Sequence, residues 1–180
     1  MINELTLVIP TLEHKKAAMQ FRQEWLDIEP GQRIHGSWGF QNTKYENYEV
    51  WLNDIENLRN GQSNNTDFRN IPATTYFAVY NDKIVGTIQL RHTLNDYLSK
   101  HGGHIGYGVR PSERRKGYAA KMLALALDEC KKLGIKKVLV TCDKNNIGSA
   151  RTIQKNGGVL ENETTDENGG IYQRYWIDVV

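Results

Sequence analysis

The stretch VRPSERRKGYA, Val109 to Ala119, joins a β-rich run at His104 to Arg110 to an Ala, Leu and Met-rich segment at Gly117 to Leu133. Pro111 ends the first run, while lysines in the last turn and Gly134 beyond it mark the second as a helix. A further β-rich run, Lys137 to Thr141, follows at once. Strand, basic loop, helix and strand in this order predict a right-handed crossover between neighbouring parallel strands. The loop places Arg110, Arg114, Arg115 and Lys116 around a helix start. A helix N-terminus has unpaired N–H groups and about half a positive charge, so anions settle there. Gly117, without a Cβ, lets the main chain approach a diphosphate closely. A solvated basic loop capping a helix fits each feature taken singly; their combination favours a diphosphate site.

Outward from this unit the pattern stays mixed. Leu5 to Pro10 reads as an opening strand, and Leu12, Ala18, Phe21, Trp25 and Ile28 form one helical stripe after a Thr11 cap, stopped by Pro30. PGQRIHGSWGF, Pro30 to Phe40, has no period and reads as a loop. Thr43 and Glu46 form a capping box for a second helix with the stripe Tyr48, Trp51, Leu52, Ile55 and Leu58. Asn60 to Asn70 is a polar surface loop. Thr74 to Tyr80 and Ile84 to Leu90 form a hairpin around Asn81-Asp82-Lys83, and LNDYLSK is a short helix or turn. After Thr141, Asn146 to Asn156 is a short helix stopped by Gly157-Gly158, and Val159 to Leu160 and Ile171 to Val179 are closing strands.

The whole chain, 180 residues with 39% hydrophobic content, suits one domain over residues 1–180, since domains run to roughly 100–200 residues. A net charge of +2 gives no bulk reason for nucleic acid or an anionic membrane as partner. Nor does an aromatic platform interleave with the basic run. Cys130 and Cys142 lack close-spaced partners, which favours a reducing compartment, and neither a leader nor an apolar run of membrane-spanning length is seen; a cytoplasmic location is expected. No metal site is suggested.

The loop also resembles the GNAT acetyltransferase superfamily, whose Gln/Arg-x-x-Gly-x-Gly/Ala pattern is filled by Arg114, Gly117 and Ala119. A second similarity lies at the correct distance: KVLVTCD, then Asn146-Ile-Gly-Ser149 and Lys155-Asn-Gly157. The resemblance implies an α/β (α+β) fold, a mixed, mostly antiparallel seven-stranded sheet splayed between strands 4 and 5 and flanked by about four helices. It also implies acetyl-CoA as co-substrate and an amine as acceptor, with a homodimer compatible. The diphosphate would lie on N–H groups of Arg115, Lys116, Gly117, Tyr118 and Ala119, with Arg114 closing over it. The pantetheine arm would pair with the edge near Tyr107 and Val109, and Asn146 and Ser149 would flank it.

Such chemistry needs a neutral amine, so a base must take a proton directly or through water. His104 is the first candidate, with an ordinary strand-start residue as the alternative. Tyr107 is a second, also readable as packing. The family's usual proton donor to the departing thiolate is a tyrosine seven residues after the motif asparagine, a position filled here by Ile153. Gly158 also replaces a common aromatic. Water, Tyr172 or Tyr175 could protonate the thiolate, or it could leave unassisted. Val109 N–H could stabilise the oxyanion. Cys142 reads as a small buried hydrophobe rather than a covalent nucleophile. In the superfamily the acceptor wall corresponds to Glu29 to Tyr48, with His35, Trp38 and Phe40 as contacts or as aromatic anchors. The expected function is acetyl transfer to a primary amine of a small molecule or peptide by direct attack in a ternary complex, the alternative being a non-catalytic acyl-CoA-binding module.

Overall fold

Alternating apolar residues and turn chemistry lay out strands first. In the computed structural model, which describes residues 4–63 and 70–179, they are β1 (Thr6–Val8), β2 (Ala73–Tyr80), β3 (Lys83–Arg91), β4 (Ile105–Val109), β5 (Lys137–Asp143), β6 (Val159–Thr165) and β7 (Ile171–Asp178). The helices are α1 (Lys15–Ile28), α2 (Tyr48–Arg59), α3 (Tyr118–Lys132) and α4 (Ile147–Lys155). Most of the polar loop expected at 60–70 lies outside the described residues. The β2–β3 turn has Asn81 at φ 48° and Asp82 at φ 59°, the left-handed pair that a two-residue hairpin requires. Strand β6 runs to Thr165, well past the expected Leu160, because its ladder with β7 continues to Thr165 opposite Ile171.

The helices differ from expectation at their starts. Residues Thr43–Glu46 make a 3-10 turn instead of the first turn of α2, Tyr45 within it having non-helical angles and a buried ring. The cap is Asn47, whose side chain accepts from Glu49 N at 3.0 Å. In α1, Ala18, Phe21 and Trp25 are buried, whereas Leu12 and Ile28 at the ends of the expected stripe are exposed.

Strands β1-β2-β3-β4 form one sheet and β5-β7-β6 another, and every ladder among the described residues is antiparallel. β4 and β5, expected as neighbouring parallel strands of one sheet splayed between them, share no ladder, and the strands fall into two sheets. At their junction His104 N donates to Leu139 O at 2.7 Å, and Leu139 N donates to His104 Nδ1 at 2.9 Å. An imidazole takes the place of the main-chain acceptor that would continue a ladder, and among the described residues no ladder joins the strands beyond it.

Two cores hold the layers. One lies between both sheets and α3 and includes Val85, Ile88, Met122, Leu123, Val138, Val140, Ile153 and Tyr175. The other lies between the first sheet and α1 and α2, where Trp51 stacks on Phe40 at 4.3 Å and on Phe77 at 5.5 Å. Among the described residues no helix is long and apolar enough to cross a membrane.

Candidate functional site

No ladder joins β4 to β5 among the described residues, which leaves an opening in the sheet bonding between two strand edges, and hydrogen-bond parity shows which main-chain groups line them. Arg110 N donates to Val85 O and Arg91 N to His104 O, each at 2.8 Å, so the even residues of β4 bond to β3. The N–H and C=O groups of Tyr107 and Val109 therefore turn away from β3, toward β5. Across the opening, Val179 N bonds to Lys136 O and Lys144 N to Ile171 O, which likewise turns the main chain of Thr141 and Asp143 toward β4.

At the mouth of this opening lies the basic loop. Arg115 has φ 65° and Gly117 φ 84°, two left-handed residues around Lys116 that curl the chain into a concave turn leading into α3. Gly117 is the N-cap, so the first N–H groups of α3, from Tyr118 and Ala119, have no intrahelical partner. A Cβ built on Gly117 would meet nothing within 4 Å, which leaves room beside the turn. The cations are not a bare cluster. Arg110 Nε is 2.6 Å from Glu24 Oε2, Arg114 Nη1 and Nη2 are 2.5 and 2.8 Å from the two oxygens of Glu29, and Lys116 Nζ is 2.8 Å from Glu113 Oε2. Lys83 reaches the other Glu113 oxygen at 2.5 Å. These bonds hold the carboxyls of Glu29 and Glu113 below their ordinary range, against the opposing effect of burial. Among the described residues Arg115 is exposed and has no ion-pair partner.

Inside the opening, Tyr107 on β4 reaches α4, its hydroxyl 2.7 Å from Ser149 Oγ. Burial pushes the Tyr107 phenol up to about 12, and burial likewise pushes the nearby Cys142 thiol up to about 11 although Ser149 bonds to it. Both groups are therefore protonated at neutral pH. Thr152 adds a third hydroxyl beside Tyr107. Asn146 caps α4 by accepting from Ser149 N at 3.0 Å, which fixes the helix that carries Ser149. Ile153 is fully buried, and a Cβ on Gly158 would overlap its side chain. The isoleucine and the glycine that depart from the family pattern are thus packed against each other.

The remaining candidates are hydrogen-bonded to other groups. The Tyr175 ring is buried in the shared core and its hydroxyl donates to Gln173 Oε1 at 2.7 Å. His104, at the junction of the strands, uses its Nδ1 lone pair to accept from Leu139, so its proton is on Nε2 and the neutral ring has no free lone pair. Burial pulls its pKa down to about 4, with Arg91 contributing.

The loop after α1 closes the other side. Phe40 is fully buried, its carbonyl accepts from Arg22 Nε at 2.8 Å, and Ser37 O accepts from Trp51 Nε1 at 2.8 Å. Phe40 is an anchor, whereas His35 is exposed and Trp38 half-buried at φ 55°. The loop lies directly on β4: a Cβ on Gly36 would stand 2.5 Å from Gly106 O, and one on Gly108 2.8 Å from His35 O. Sequence reasoning missed Glu24 and Glu29. Their only local mark is an acidic end to a helix, which commonly means solvation, and their partners lie 86 and 85 positions away.

No curated protein matches the sequence. Solved structures similar in fold include the ribosomal L7/L12 alpha-N-protein acetyltransferase RimL in complex with coenzyme A, at TM-score 0.69 and 16% identity over 97% of this chain and 94% of that one. The microcin C7 self-immunity acetyltransferase MccE, in complex with acetyl-CoA and AMP, aligns at TM-score 0.68 and 18% identity, over 98% and 93% of the two chains. An acetyltransferase that modifies the N-terminal serine of ribosomal protein L7/L12 from Salmonella typhimurium gives TM-score 0.68 and 15% identity, over 98% and 95%. The model of the acetyltransferase (GNAT) family matches residues 32–158, a span that includes β4, the concave turn, α3 and the Asn146 cap. With that match over most of its length, the chain belongs to the GNAT acetyltransferase family.

Proposed function

We propose that this chain is a single domain, residues 1–180, that transfers an acetyl group from acetyl-CoA to a primary amine of a small molecule or peptide by direct attack in a ternary complex. The observation that carries the reading is the concave turn at Arg115–Gly117 placed at the mouth of an opening edged by outward main-chain groups of Tyr107 and Val109. A diphosphate fits the turn: the first N–H groups of α3 lack intrahelical partners, Arg115 and the Lys83–Glu113–Lys116 group supply positive charge, and no side chain fills the space beside Gly117, so the N–H groups from Arg115 to Ala119 are the ones that would hold it. The amides of a pantetheine arm fit the β4 edge as a further strand would. Asn146 and Ser149 flank it from α4. Acetyl-CoA brings the thioester carbonyl that an amine attacks.

The chain's own groups divide the remaining work. Val109 N–H is the donor for developing oxyanion charge. Tyr107, protonated and held by Ser149, gives its hydroxyl proton to the thiolate, in place of the hydroxyl absent at Ile153. His104, with its one lone pair committed to Leu139 N, braces the junction of the sheets, and the amine proton passes to water. Tyr175 supports the core. No covalent acetyl-enzyme is needed, and Cys142 stays a buried thiol.

The test is release of free thiol from acetyl-CoA across a panel of primary amines. Release with at least one amine is expected, and a Tyr107→Phe variant should lower kcat about a hundredfold or more with little change in KM for acetyl-CoA, in the range of general acid catalysis. Binding of acetyl-CoA without release for any amine would favour the acyl-CoA-binding module.

A further inference from the structure

We infer that Glu29 is a positioning residue for the coenzyme diphosphate, acting through Arg114; this rests on the reading of the concave turn as the diphosphate site. Arg114 is the side chain that begins the loop pattern, and it is not a loose cation. Its Nη1 and Nη2 hold both oxygens of Glu29, its Nε donates to Val109 O at 3.3 Å, and its guanidinium lies over the Trp25 ring at 5.2 Å. Three of its five N–H donors are thereby used and its plane is fixed, while two donors are left for an anion. An arginine already immobilised loses little rotamer freedom when the anion arrives.

The rest of the loop is tied to α1 in the same way. Glu24 Oε1 accepts from Ser112 N at 3.1 Å while Oε2 holds Arg110. Around the turn, Lys83, Arg110, Arg114, Arg115 and Lys116 face Glu24, Glu29 and Glu113, an excess of two positive charges. That excess matches a diphosphate, whereas the bare cations would repel one another and splay the turn. Glu29 is also the residue at which α1 ends and the loop over β4 begins, so the diphosphate turn and the opposite wall share one anchor.

Isothermal titration with acetyl-CoA and with S-acetylpantetheine, which keeps the thioester arm and lacks the nucleotide diphosphate, tests the inference. Glu29→Gln should weaken acetyl-CoA about tenfold, as expected for loss of a charge-assisted bidentate pair, and leave S-acetylpantetheine unchanged. In an Arg114→Ala background the same substitution should add nothing, and Glu29→Asp, which keeps the charge, should recover part of the affinity. Unchanged or tighter binding of acetyl-CoA by Glu29→Gln would overturn the inference, as would equal weakening of both ligands. Wild-type protein that fails to bind acetyl-CoA at all would instead overturn the reading of the site, and the inference with it.

Discussion

His104 shows how one side chain can be chosen for its shape and not for its acidity. Its imidazole stands between two strands because Nδ1 accepts from Leu139 N, and this works only while the ring is neutral. In the unfolded chain the ring titrates near 6.5; in the fold, burial lowers the value to about 4. Between those values the unfolded state binds more protons, so stability rises with pH across the window. The contribution is complete above about pH 6.5 and should fall by about 3 kcal/mol on going down to pH 4. Chemical denaturation of wild type and His104→Gln at a series of pH values measures it. The variant should lack this component, and parallel curves for the two proteins would contradict the assignment. From sequence His104 read as a base because imidazole titrates near neutrality; what the residue touches, 35 positions later, is not visible in any local pattern.

At the scale of elements, the two walls of the site rest on glycines with different demands. Gly36 has φ 73°, and a Cβ there would meet Gly106 O and Thr87 O. Gly117 has φ 84° with open space around it. Gly36→Ala should therefore destabilise by about 2 kcal/mol or more, through strain plus displacement of the loop from β4, and Gly117→Ala by about 1 kcal/mol through backbone strain alone. Urea unfolding of the two variants gives the comparison. Equal losses would mean that the loop does not seat on β4 as described. Elements whose signals are local were legible in the sequence. The β2–β3 turn, with Asn81 and Asp82, and α3, with its run of Ala and Leu, formed where expected. The start of α2 was not, because the Thr43–Glu46 spacing satisfies a capping rule while burial of Tyr45 demands a different path.

On the scale of the whole molecule, the two sheets are separate as ladders and single as a core. Val138 and Val140 of β5 pack in the same cluster as Val85 and Ile88 of β3, together with Met122 and Leu123 of α3. Native-state hydrogen exchange should therefore give β2, β3, β5 and β7 one common opening, with β6 opening earlier: both β5 and β6 are outer strands of their sheet, but six of the seven residues of β6 are exposed, whereas β5 carries core residues. Loss of protection in β5 and β7 at a lower denaturant concentration than in β2 and β3 would show two units instead. The order of strands and helices could be read along the whole chain, and the turn of the proposed diphosphate site from Val109 to Ala119. The ion pairs that fix the turn could not, because they join α1 to a loop more than eighty positions away.

Strand β4 carries one more consequence. Toward the loop after α1 it presents Gly106 and Gly108, so peptide planes, not side chains, bear the load from Gly36 and His35. A side chain between two segments yields by rotating; a peptide plane does not. Any displacement of that loop is thus passed without cushioning into the strand whose outward amides line the opening, which makes β4 a stiff diaphragm between the two compartments it divides.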